Sequence, residues 1–90
     1  MTSDPADLAA RVIRQVISIG SSKEGRTEMW RQRPEDFHLL RAQRHLTTHQ
    51  LVRDGHAPHD SDDHLANALT RLAMALVVRE DDDSFPDPSL

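Results

Sequence analysis

Ninety residues with no cysteine and three aromatic side chains, Trp30, Phe37 and Phe85, bound the molecule to one small domain with an aliphatic core. The missing cysteines exclude disulfides and zinc–thiolate clusters, and no apolar run approaches the ~18 residues of a membrane-spanning helix. The net charge of -4 conceals an uneven distribution: residues 1–79 hold 11 basic against 10 acidic side chains, and Glu80, Asp81, Asp82, Asp83 and Asp87 supply the rest.

A mildly basic middle and an acidic end suit a small anionic ligand. They do not supply the clustered basic face that duplex DNA requires. The N-terminus lacks the basic start and apolar stretch of a signal peptide, so the chain is expected to be cytoplasmic.

The first predicted helix spans 5–19. Asp4 is placed to accept a bond from the first free amides, Pro5 suits the first helical position, and Leu8, Val12, Ile13, Val16 and Ile17 recur at helical spacing. Gly20 is its expected stop. Residues 20–34 read as a long basic loop in which Thr27 to Arg31 form a short helical turn. A loop of that length in a small domain is a functional candidate. Trp30 within it either lids a ligand or covers the core.

Pro34 opens a second helix over 35–54, with Glu35 and Asp36 in its first turn and Gly55 at its end. Its apolar members, Phe37, Leu40, Leu46 and Leu51, are interrupted by Arg44, His45, Thr47, Thr48 and His49. Polar groups on a partly buried face either pair with a neighbour or serve a site. After Pro58, Asp60 or Ser61 is the expected cap of a third helix over 62–80, with Asp62 and Asp63 in its first turn. Leu65, Leu69, Leu72 and Leu76 form the strongest apolar ridge of the chain. Alanines flank that ridge, and three short helices cannot cover every apolar stripe, so a homodimer through these leucines is expected. The overall expectation is an all-α three-helix domain over residues 1–80, followed by an acidic, disordered tail over 81–90.

His45 and His49 share a helix face, which His38 roughly joins. With His64 and Asp60, Asp62 or Asp63 they form a potential site for a divalent metal. The same acids also serve as helix caps, and histidines at this spacing also occur as surface or hydrogen-bonded residues. Read as ligands, the three aspartates are hard oxygen donors that suit magnesium or manganese.

The order Gly20-Ser-Ser-Lys23-Glu-Gly25, Trp30, Arg44-His45-Leu46, His64-Leu65-Ala66-Asn67-Ala68 resembles a small phage-associated family, the N-terminal domain of dATP/dGTP diphosphohydrolases, across about residues 8–80. The resemblance implies a metal-dependent pyrophosphohydrolase of purine deoxynucleoside triphosphates. Lys23, Arg26, Arg44, Trp30 and Asn67 would then contact substrate. Asp60, Asp62, Asp63 and His64 would hold magnesium or manganese, and His45 and His64 would be the catalytic histidines. The chain departs from the family pattern at Glu24, where the family carries Tyr, at Met29, where it carries Asn, and at Asn67, where it carries the second His of His-Leu-Ala-His-Ala. Asn67 is a poorer metal ligand and no base at neutral pH. These departures keep open a second reading, a non-catalytic helical interaction module of phage or prophage origin that binds a protein partner.

Overall fold

A computed structural model describes residues 4–24 and 29–81, with the backbone alone for 21–24. Three helices make up the fold: α1 (Pro5–Glu24), α2 (Glu35–Arg53) and α3 (His64–Asp81), with a 3-10 turn at Met29–Gln32 between α1 and α2. There is no strand among the described residues. None of the helices is long and apolar enough to cross a membrane.

The helix ends follow from local chemistry. Asp4 Oδ1 accepts the Ala6 amide at 2.8 Å, which satisfies one of the free donors at the start of α1. Gly20 does not end that helix. The chain stays helical for four more residues through Glu24, because a glycine in a helix interior costs only about 1 kcal/mol. At the other end of α2 a glycine does act as a stop. Gly55 takes φ +79°, its amide reaches Val52 O at 3.1 Å and the His56 amide reaches Leu51 O at 2.8 Å. This paired closure is the one that favours a residue without Cβ.

The cap of α3 is Asp63 rather than Asp60 or Ser61. Its Oδ1 accepts the Ala66 amide at 3.0 Å, and the helix begins at His64. Asp60 instead closes the turn before it, accepting the Asp62 amide at 3.0 Å. The helical turn expected near Thr27 begins at Met29, and Thr27 itself lies outside the described residues, as does the tail beyond Asp81.

Helix α3 is the centre of the domain. It packs against α2, α1 and the 3-10 turn, while α1 leans on α3 and not on α2. Among the described residues the buried apolar side chains are Ala42, Ala68, Met74 and Ala75. Three of the four are alanine, so α2 and α3 approach closely and leave no room for leucine between them. The leucines go outward: Leu65, Leu72 and Leu76 on α3, and Leu40, Leu46 and Leu51 on α2, are all exposed. Leu69, the remaining member of the expected ridge, is half-buried.

Polar residues occupy the inner face of α2 in their place. His38 and Ala42 are buried, and His45, His49 and Val52 follow on the same face, half-buried. Thr70 of α3 is buried as well, and its hydroxyl donates to Ala66 O at 2.9 Å.

Candidate functional site

The inward histidines of α2 do two different things. His38 is fully buried and both its ring nitrogens are engaged. Arg71 donates to Nδ1 at 3.1 Å, so Nδ1 carries no proton and Nε2–H donates to Trp30 O at 2.8 Å. Burial holds its pKa below the ordinary 6.5, outweighing the bond to Trp30, and the Arg71 charge pushes the same way. His38 is therefore a neutral strut tying α2, α3 and the 3-10 turn together. The expectation that it joins His45 on a metal-binding face is not met, because neither nitrogen is free to ligate.

His45 sits two turns further along α2 and meets His64 at the start of α3. Their Nδ1 atoms are 3.0 Å apart. His64 Nε2 in turn faces the Asp60 carboxylate, 2.9 Å from one oxygen and 3.0 Å from the other. The result is a continuous chain, Asp60–His64–His45, running from the exposed loop into the α2–α3 seam. The His64 hydrogen bond is the main reason the Asp60 carboxyl is held below its usual value of 3.8, helped by the Asp62 amide and the nearby charges of His64 and His59. His45 is held below 6.5 by burial first, then by His64, Arg71 and Arg41, against a weaker pull from Asp62. At neutral pH it is an uncharged imidazole.

Asp60, Asp62 and His64 each present a ligand atom within 4.8 Å of the others. Two carboxylates and one imidazole form a donor set that fits a small divalent cation. Asp63, the fourth expected ligand, is occupied as the cap of α3 and lies outside this group.

Two clefts flank the group. The larger, about 600 Å³, lies between α1, α3 and the 3-10 turn. Val12, Val16, Ile19, Trp30 and Met74 give it apolar walls, and His45, Asp62, Asn67 and Arg71 give it polar ones. The smaller, about 370 Å³, is lined by His49, Val52, His59, Asp60 and His64. Residues 61–63 border both, so of the potential metal ligands Asp62 lines both clefts, while Asp60 and His64 line the smaller one.

The residues named from sequence separate clearly. Asp60, Asp62, His64 and His45 come together, and Trp30 and Asn67 line the large cleft beside them. The Trp30 indole N–H is buried with no acceptor among the described residues. Arg44 lies exposed on α2 and lines neither cleft, because its position points it away from the inner face that carries His45. The Lys23 side chain and Arg26 lie outside the described residues. Arg71 was not foreseen. It lines the large cleft, bonds His38 and lies 5.7 Å from the centre of the Phe37 ring. Its sequence signal is an arginine in the middle of the apolar helix α3. No protein-family model, curated protein or solved structure matches the chain, so the site stands on its own geometry.

Proposed function

We propose that this domain is a metal-dependent pyrophosphohydrolase of purine deoxynucleoside triphosphates. The observation that supports the reading is the grouping of Asp60, Asp62 and His64, within 4.8 Å of one another, whose member Asp62 also lines a 600 Å³ cleft of a size to hold a nucleotide. Water attacks the α-phosphorus, the bond to the bridging oxygen breaks, and pyrophosphate leaves with a deoxynucleoside monophosphate as the other product. The cation supplies charge neutralisation at the phosphates and a more acidic bound water.

The chain's own residues provide the rest. Asp60, Asp62 and His64 hold the cation. Arg71 and Asn67 offer donors to phosphate oxygens in the cleft where Arg44 does not reach. Trp30 presents an apolar face to a base and an indole N–H in need of an acceptor. Incubation with each of the four deoxynucleoside triphosphates and magnesium or manganese should release pyrophosphate from dATP or dGTP. No release from either purine nucleotide at micromolar protein would overturn this reading.

A second reading is favoured by a specific observation: the outward leucines of α2 and α3. As a non-catalytic helical interaction module the domain binds a partner through that surface. A ligand that binds only the folded state raises the melting temperature by mass action. A melting point unmoved by either metal or nucleotide would favour this module.

In the pyrophosphohydrolase reading the partner of the α3 ridge is a second copy of the chain. The two-fold contact would run through Leu65, Leu69, Leu72 and Leu76, since few apolar side chains among the described residues are buried within one chain.

A further inference from the structure

We infer that the acidic stretch 82–90 docks within its own chain on a basic surface built around Phe37, with Arg33 and Arg41 as its principal contacts. The inference stands apart from both functional readings above, because Phe37, Arg33 and Arg41 belong neither to the Asp60 group nor to the lining of either cleft.

Three guanidinium groups crowd one aromatic ring. The Cζ atoms of Arg41, Arg33 and Arg71 lie 5.0, 5.1 and 5.7 Å from the centre of the Phe37 ring, within the range of a cation–π contact. Each reaches it from a different part of the chain. Arg41 follows Phe37 by one turn of α2. Arg33 precedes α2, and its backbone is fixed by the amide bond to Trp30 O at 3.2 Å. Arg71 comes from α3 while donating to the neutral His38. Arg33 and Arg41 are exposed, and neither forms an ion pair among the described residues, even with Glu35 or Asp36 at the start of α2. Like charges gathered on one ring repel each other, and an anion beside them relieves that repulsion.

The chain carries such an anion, and the structure shows where it begins. Helix α3 ends at Asp81, whose carboxylate accepts from Arg31 Nη1 at 3.3 Å. Arg31 lies in the 3-10 turn, two residues before Arg33, with its Cζ 4.7 Å from the centre of the Trp30 ring. This ion pair brings the start of the acidic stretch to the edge of the arginine surface. Asp82, Asp83 and Asp87 follow it in sequence, and residues 82–90 lie outside the described residues. Reach sets no limit: nine residues span up to about 30 Å, whereas the helical rise from Arg71 to Asp81 is only about 15 Å. The α3 dipole adds a reason to turn back, since acids at a helix C-terminus face its negative end and are stabilised by a cation brought beside them. The segregation of charge along the sequence, a slight basic excess over residues 1–79 and five acids after them, is what a contact of this kind requires.

The test places a probe on the acidic stretch of the full chain. There is no native cysteine, so Ser89→Cys carries a single nitroxide label. In ~20 mM salt the label should broaden the amide signals of residues 33–41, and the broadening should fade in ~1 M salt, where the screening length falls to about 3 Å. Arg33→Gln combined with Arg41→Gln should abolish it as well. Asp82→Asn, Asp83→Asn and Asp87→Asn together alter none of the described residues, so they probe the contact without disturbing the helices, and they should have the same effect. Broadening that survives high salt and both sets of substitutions arises from tethering alone and overturns the inference, as does an absence of broadening over residues 33–41. A mixture of isotope-labelled chain without nitroxide and nitroxide-labelled chain without isotope identifies the source of the acids. Broadening in the mixture as strong as within one chain places the stretch on a second copy and overturns docking within the chain, whereas its absence supports it.

Discussion

His38 shows how a single side chain can be structural in a setting that looks chemical. Its ring accepts from Arg71 and donates to Trp30, and it stands edge-on to Phe37 with ring centres 5.6 Å apart. His38→Ala removes both bonds and leaves Trp30 O and an Arg71 donor to find new partners. The expected loss is about 2–4 kcal/mol in urea unfolding, and a loss under ~0.5 kcal/mol would mean the strut is not needed.

Protonation has the same target. His38 and His45 are both held below 6.5 in the folded chain, so the unfolded chain binds protons first as the pH falls. Their contribution is fully present above pH 6.5 and is lost as pH drops through their depressed values. Asp60, held below 3.8, behaves alike in a lower window. Its contribution is kept above 3.8 and lost as acid protonates the folded carboxylate. Melting temperature recorded against pH should therefore fall in two stages on acidification, and the first stage should shrink in His38→Ala.

At the scale of elements, all three helices were legible in the spacing of Leu, Val and Ile, and the acidic starts and Gly55 placed most of their ends. The errors have physical causes. Gly20 carries the residue type of a helix stop, but a glycine ends a helix only where the chain needs a left-handed residue, and α1 continues through it to Glu24. Among Asp60, Ser61, Asp62 and Asp63 the sequence offered several equivalent caps. Which one binds the free amides depends on where the turn after Pro58 releases the chain. Asp63→Ala should cost about 1 kcal/mol of stability through the lost bond to the Ala66 amide, without altering metal-induced stabilisation. If Asp63→Ala abolishes that stabilisation, the residue is a ligand and the cap reading fails. The site itself was half visible. His45 and His64 are 19 residues apart, and no local spacing can announce that their Nδ1 atoms meet. That contact exists only once α2 and α3 fold back on one another.

For the whole molecule, periodicity identified the leucine ridge of α3 but could not tell which way it faces. The alanines decided it. Close approach at Ala42, Ala68 and Ala75 turns Leu65, Leu72 and Leu76 outward, where each is at least 42 % exposed. That is the arrangement an isologous dimer would use. Leu72→Asp places a charge in such a contact without touching the chain's own core. The variant should sediment as a folded monomer under conditions where wild type is a dimer. A wild-type chain that sediments as a monomer at micromolar concentration would refute the dimer, and a dimeric Leu72→Asp protein would move the interface to another face.

A seam of alanine, histidine and threonine also has a calorimetric consequence. The heat capacity gained on unfolding comes from apolar surface newly exposed to water, and polar surface subtracts from it. A single chain that keeps its leucines in water has little of the first to expose. The monomeric Leu72→Asp variant should therefore unfold with a heat-capacity increment below the ordinary ~12–15 cal/mol/K per residue, giving it a flat stability curve with shallow cold and heat limbs. Wild type, if it buries the ridge against a second copy, should show a larger increment and a more sharply curved profile. Equal increments in the two would mean that the leucines stay wet in both.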